Sequence, residues 1–269
     1  MPELPLILEP EDLACSLQYE QLLIVDLSTP EHYADSHIPG AIHVHPQETR
    51  GRQSRLPGLP PSTAELQTLL GRIGFTPEHH VVAYDHEGGG WAGRFLWLLD
   101  CIGHHRYSLL NGGRIAWIKE GYPTKTEAPS PEPTDPDIHL QNEPIASREE
   151  VEAAIGRDDV SIWDARSPLE YRGERESAAR NGHIPGAVNL EWTELMDPDN
   201  HYRLLPEDQL RRKLEDAGIR ARTHVITHCQ SHHRSGLTYV VARALGYPGV
   251  RAYAGSWAEW GNLAETPIE

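Results

Sequence analysis

The sequence predicts two similarly built α/β domains, each a doubly wound, mainly parallel sheet flanked by helices. Three observations lead there. Short apolar, β-rich runs alternate with helical patterns along the whole chain, one sequence block recurs in both halves, and a proline-dense stretch divides them. Such alternation indicates parallel strands joined by crossover helices, and 269 residues suffice for two cores of moderate size.

Taken in order, strands are expected near 22–27 and 81–85 in the first half and near 160–164 and 224–228 in the second. Helices are expected near 63–73, 91–102, 147–156, 206–217 and 234–245. Two of the helix starts carry capping-box spacing, Ser62-Thr-Ala-Glu65 and Ser147-Arg-Glu-Glu150, in which the first side chain and the fourth satisfy each other's backbone N–H. In this architecture, sites form beyond the carboxyl ends of the strands.

The repeat is explicit. Ile24-Val-Asp-Leu-Ser-Thr-Pro-Glu-His-Tyr33 followed by His37-Ile-Pro-Gly-Ala41 is answered by Ile162-Trp-Asp-Ala-Arg-Ser-Pro-Leu-Glu-Tyr171 followed by His183-Ile-Pro-Gly-Ala187. Val81-Val-Ala-Tyr-Asp85 is answered by Val225-Ile-Thr-His-Cys229, and Gly113-Arg-Ile-Ala-Trp117 by Gly255-Ser-Trp-Ala-Glu-Trp260. Three matched blocks in one order make a duplicated unit, and Asp85 falls opposite Cys229. Between the halves, Pro129, Pro131, Pro133, Pro136 and Pro144 block helix and central strand and favour an extended path of about 3.1 Å per residue. The expected division is a domain over 1–123, a linker over 124–144 lying on the surface, and a domain over 145–269.

Composition narrows the function classes. The net charge of −16 argues against nucleic acid or an anionic membrane as a partner, since both are held through Lys and Arg. The N-terminal residues lack a basic start and sustained apolar run, and no stretch approaches the roughly 18 apolar residues of a membrane span. Three cysteines, Cys15, Cys101 and Cys229, form no CxxC pair, which suits free thiols in a reducing, cytoplasmic setting.

Most of the chemistry lies in Thr227-His-Cys-Gln-Ser-His-His-Arg-Ser-Gly236. Placed between a strand end and a helix start, Cys229 meets unpaired backbone N–H groups and a partial positive charge. Such settings lower a thiol pKa from about 8.5 to roughly 3.5–7.5. Arg234 adds a fixed cation, while Gln230, Ser231, His232, His233 and Ser235 add polar groups to the same loop. Metal binding by Cys229 with His228, His232 and His233 lacks zinc spacing and a second Cys, so no metal is expected.

Cys229-Gln-Ser-His-His-Arg234, the paired His-Ile-Pro-Gly-Ala blocks and Gly255-Ser-Trp-Ala-Glu-Trp260 together resemble the bacterial tandem-domain rhodaneses, thiosulfate:cyanide sulfurtransferases. The resemblance covers nearly the whole chain and implies two rhodanese-like domains, the first without a nucleophile because Asp85 stands where cysteine is needed. It further implies that Cys229 takes the sulfane sulfur of thiosulfate as a persulfide, releases sulfite, and passes the sulfur to cyanide or another thiophilic acceptor such as a thiol, with no cofactor. Arg234 would hold the sulfonate. Asp164 and Arg166 would form a supporting charge pair, a plain structural salt bridge being the other reading.

His232 and His233 are expected to line the entrance or to be merely solvated, and Trp257 and Trp260 to pack in the core. A monomer is expected. Three alternatives remain in view: mercaptopyruvate as donor, whose enzymes tend to carry a Cys-Gly-Ser/Thr-Gly loop; phosphatases and arsenate reductases of related fold, which place arginine six positions after cysteine rather than five; and a non-catalytic binding module.

Overall fold

The computed structural model describes residues 4–52 and 56–269, which divide into two compact units. Each is a parallel sheet with helices packed upon it. In the first, β1 (Ile7–Leu8), β2 (Leu22–Asp26), β3 (Ile42–His43), β4 (His80–Tyr84) and β5 (Tyr107–Leu110) lie in the order β1-β5-β4-β2-β3, every pair parallel. The chain crosses between them through α1 (Pro10–Ser16), α2 (Pro30–Asp35), α3 (Thr63–Arg72) and α4 (Gly90–Cys101), and α5 (Gly113–Lys119) follows β5. Helices on the sheet bury β4 completely, which is why its sequence is a continuous apolar run rather than an alternation. Leu8, Ile24, Val82, Leu110 and Trp117 form part of one core cluster.

The second unit repeats this plan. After α6 (Arg148–Ala154) come β6 (Val160–Asp164), α7 (Pro168–Tyr171) and β7 (Val188–Asn189). A two-stranded hairpin, β8 (Met196–Asp197) with β9 (Arg203–Leu204), most of which counts with the first unit, precedes along the chain α8 (Glu207–Asp216), β10 (His224–His228), α9 (Arg234–Ala244), β11 (Val250–Ala252) and α10 (Ser256–Trp260). The sheet runs β11-β10-β6-β7 and is again parallel. A counterpart of β1 is reduced to one bridge between Ile145 and Ala252. Trp257 and Trp260 are fully buried in the core cluster, as their i,i+3 spacing predicts.

The two longest repeated blocks prove to be one brace built twice. In His37-Ile-Pro-Gly-Ala41, Ala41 N–H donates to the Ile38 carbonyl at 2.9 Å, closing a turn with Pro39 second and Gly40 third at φ +81°. Proline fixes the second position and glycine alone adopts the third without cost. Tyr33 O–H reaches the Ala41 carbonyl at 2.8 Å and its ring stacks on His37 at 4.0 Å. Tyr171, His183 and Ala187 repeat all of this, at 2.6 Å and 3.7 Å. Both capping boxes read from sequence are present.

The proline-rich stretch is pinned to the first unit as far as Gln141, through Thr134 N–H to the Gly71 carbonyl at 2.9 Å and Gln141 N–H to the Cys101 carbonyl at 2.7 Å. A division at one point along the chain does not describe the units: residues 197–204 count with the first and 56–59 with the second. Arg203 Nε donates to Glu9 Oε2 at 2.9 Å, and Leu204 N–H to Asn111 Oδ1 at 2.8 Å. No local pattern in 197–204 announces these partners, because Glu9 lies 194 residues from Arg203 and Asn111 lies 93 residues from Leu204. Replacing Leu110, 2% exposed, by Ala should cost about 2–5 kcal/mol, whereas Ile118→Ala, 37% exposed, should stay within about 0.5 kcal/mol; urea midpoints of the two variants measure the difference.

Candidate active site

Both units present a loop between their central strand and the helix that follows. In the second unit that loop begins at Cys229, immediately after β10, and α9 starts at Arg234. The Cys229 and Gln230 carbonyls accept from Trp257 N–H at 3.0 Å and Ala258 N–H at 2.9 Å in α10. With its carbonyls held by α10, the loop turns N–H groups toward the thiol. Ser256 completes the brace: its Oγ donates to the Tyr253 carbonyl at 2.9 Å and accepts from Cys229 N–H at 3.4 Å and His232 N–H at 3.2 Å.

Ser256 does this from φ +53°, and His232 stands at φ +52°. Both lie in a left-handed region that costs a non-glycine residue roughly 1–2 kcal/mol. In the first unit the corresponding position is Gly113, φ +51°, where an added Cβ would lie 2.5 Å from the Asp85 carbonyl. The second unit therefore accepts strain to place a hydroxyl where the first needs none.

Cys229 is only 1% exposed. Burial by itself would raise its pKa, yet the charge of Arg234, the Ser235 side chain and the N–H groups of Ser235 and Ser231 outweigh it, and the thiol ionises below its ordinary range. Cys101, equally buried, is pushed far up by burial and the charge of Asp100, which outweigh Arg94; Cys15 is exposed.

The loop's other side chains are already engaged. Gln230 Nε2 donates to the Ser177 carbonyl at 2.8 Å. His232 does not line an entrance: it is fully buried, its Nδ1 2.8 Å from Ser235 Oγ, because the left-handed turn folds it inward. His233 is half-buried, with its ring 5.7 Å from that of Trp192. Arg234 is half-buried and forms a bidentate pair with Glu170 of α7, at 2.7 Å and 2.9 Å. Burial opposes the ionisation of Glu170, but that pair and Ser167 hold its pKa down at about 2.

Asp164 and Arg166 are fully buried. Arg166 donates to Asp164 from Nε at 3.0 Å and Nη2 at 2.6 Å and to the Gly182 carbonyl at 2.8 Å. Its guanidinium lies 4.3 Å from the Trp257 ring, the residue whose N–H holds the Cys229 carbonyl. The pair thus sits beneath the brace. Burial would raise the Asp164 pKa, but His228 and Arg166 keep it lowered.

In the first unit Asp85 occupies the cysteine's place. Its Oδ1 accepts from Glu87, Gly88 and Gly89 N–H at 2.8–3.1 Å, and its Oδ2 from Trp91 and Ala92 N–H at 2.9 Å and 3.1 Å. Among the described residues, no group of three or more His, Cys, Asp or Glu is placed to hold a metal ion, and no helix is long and apolar enough to cross a membrane.

A doubled parallel layer with an activated thiol at one strand end defines a class, and the chain belongs to it: a family profile described as the Rhodanese-like domain matches residues 9–120 and 147–263. Particular relatives include the thiosulfate sulfurtransferase of Azotobacter vinelandii, 51% identical over 266 residues, covering 99% of this chain and 97% of the relative. That of Pseudomonas aeruginosa is 51% identical over 267 residues, covering 99% and 98%. Among solved structures, SseA of Escherichia coli, described as having the "Rhodanese" fold of 3-mercaptopyruvate sulfotransferases, matches with TM-score 0.83 and 25% identity over 94% of this chain and 99% of that one.

Sequence reasoning singled out neither Ser256 nor Glu170. The usable signal was the difference between the copies: Gly113 faces Ser256, and His32 faces Glu170.

Asp164→Asn leaves Arg166 buried without its carboxylate and should cost about 3–5 kcal/mol in urea unfolding; a loss under about 1 kcal/mol would show the pair to be dispensable. Glu170 titrates at about 2 when folded against an ordinary 4.5. Its contribution to stability is therefore complete above pH 4.5 and is lost as pH falls toward 2. Glu170→Gln should flatten the acid limb of the stability profile across that window.

Proposed function

We propose that the chain moves the sulfane sulfur of thiosulfate to a thiophilic acceptor through a persulfide on Cys229. What carries this reading is end-to-end identity of 51% with two thiosulfate sulfurtransferases. The local chemistry agrees with it. A thiol whose ionisation is favoured despite burial is a nucleophile held ready.

The Cys229 thiolate attacks the outer sulfur of thiosulfate, forming a new S–S bond. The donor's S–S bond breaks and its electron pair leaves with sulfite. In the second half-reaction the acceptor, cyanide or a thiol, attacks the outer sulfur and the pair returns to Cys229 as thiolate. Electrons balance within the two steps, so the persulfide is the sole carrier and no cofactor takes part. N–H groups of Ser231 and Ser235 stabilise the bare and the sulfur-loaded anion, and Arg234 adds the charge that holds the sulfonate.

Ser235, His232 and Gln230 fix the loop through the bonds described above, His233 stands beside Trp192 at the half-buried rim, and Asp164 and Arg166 support the brace from below. In this division of labour the unit bearing Asp85 is non-catalytic and the unit bearing Cys229 is catalytic. The protein works as a cytoplasmic monomer.

Incubation with thiosulfate should add the mass of one sulfur atom, removed again by cyanide, and Cys229→Ser should show no gain. An unchanged wild-type mass would point to a binding module instead. The likeness to SseA makes mercaptopyruvate the competing donor. Side-by-side kinetics should give the larger kcat/KM for thiosulfate, and the reverse order would reassign the donor.

A further inference from the structure

We infer that Glu170 is a positioning residue for sulfur transfer, acting through Arg234. The inference rests on the role given to Arg234 above and extends it to a residue that does not touch the thiol.

Glu170 is 5% exposed and is itself locked before it meets Arg234. It is the fourth residue of a capping box: Ser167 N–H and Oγ donate to Glu170 Oε2 at 3.1 Å and 2.8 Å. The carboxylate then receives both terminal nitrogens of Arg234. A guanidinium gripped at two points by a group that cannot rotate has one orientation. Its charge is the largest influence favouring the Cys229 thiolate.

A capping role alone does not explain the glutamate, and the duplication supplies the control. Counting from the aspartate that ends β2 or β6, Asp26 or Asp164, the seventh position carries Tyr33 or Tyr171, and a histidine further on, His37 or His183, completes the same brace. What changes together is the trio His32, Asp85 and Gly90 in the first unit against Glu170, Cys229 and Arg234 in the second. The first unit starts its α2 with Thr29 and His32, Thr29 Oγ1 accepting from His32 N–H at 3.4 Å and lying 3.0 Å from His32 Nδ1. No carboxylate is needed there for the helix start. The glutamate occurs where the arginine and the nucleophile occur.

Two effects of Glu170 on the thiol oppose each other. Its negative charge tempers Arg234, while its grip keeps Arg234 beside the sulfur; Asp164 and Glu191 also lie in the field of Arg234. The pH dependence of sulfite release in a single turnover tells which effect wins. Glu170→Gln is the informative variant because glutamine also serves in a capping box, so the helix start survives while the two-point ionic grip is lost.

If Glu170 positions Arg234, Glu170→Gln raises KM for thiosulfate roughly 10–100-fold and moves the acid limb upward, toward its place in Arg234→Ala. Added to Arg234→Ala it changes nothing further, since there is no guanidinium left to hold. Glu170→Asp recovers part of the loss. An acid limb that moves downward, or full additivity with Arg234→Ala, overturns the inference. If Arg234→Ala itself leaves KM and the limb unmoved, the role of Arg234 is what fails; if Arg234→Ala moves both and Glu170→Gln moves neither, the positioning role fails alone.

Discussion

The site depends on favouring the ionisation of a thiol that has almost no contact with water. Burial is the largest influence on the Cys229 thiol and it acts in the wrong direction. Everything around the loop opposes it: a guanidinium, a hydroxyl and inward-facing amides, each worth more in a low dielectric than at the surface. These donors need fixed positions, because an amide that swings away leaves an uncompensated buried charge. The fold supplies that through α10, whose N–H groups take the loop carbonyls, and through Ser256, which ties the two ends of the loop from a strained backbone.

The first unit shows the same scaffold with a carboxylate in the place of the thiol. Asp85 brings its own carboxylate into a cradle of five N–H groups. Even there burial, with nearby Glu87, pushes its pKa up against those bonds. The comparison separates two parts of the design. Backbone donors are common to both copies and suit a generic anion. The cation and the carboxylate that grips it belong to the copy with the thiol.

Much of this was legible in the sequence. Parallel α/β layers followed from buried strands such as His80–Tyr84, whose apolar run has no alternation, and both capping boxes followed from spacing alone. The place of Cys229, between a strand end and a helix start, followed from the polar loop around it. What was not legible depends on distance along the chain. Glu170 lies 64 residues before Arg234, and Ser256 lies 27 residues after Cys229; no periodicity connects them. His232 was misplaced because a positive φ at a non-glycine residue has no sequence signature. The placing of residues 197–204 with the first unit rests on Arg203 and Leu204, whose partners are equally remote.

A net charge of −16 opposes the approach of an anionic donor, and Glu170 sharpens the difficulty by neutralising the loop's cation. The resolution lies in range. Exposed charges are screened over about 8 Å at physiological ionic strength, so the acidic surface exerts little force on an anion already in the loop. Within that distance, dipoles of fixed amides and an oriented guanidinium act without screening water. Net attraction at long range is thereby traded for selectivity at short range: an anion gains only if its atoms meet those donors, and Arg234 held by Glu170 rewards geometry rather than charge alone. On the proposed reaction, the same place then admits a dianion and releases sulfite.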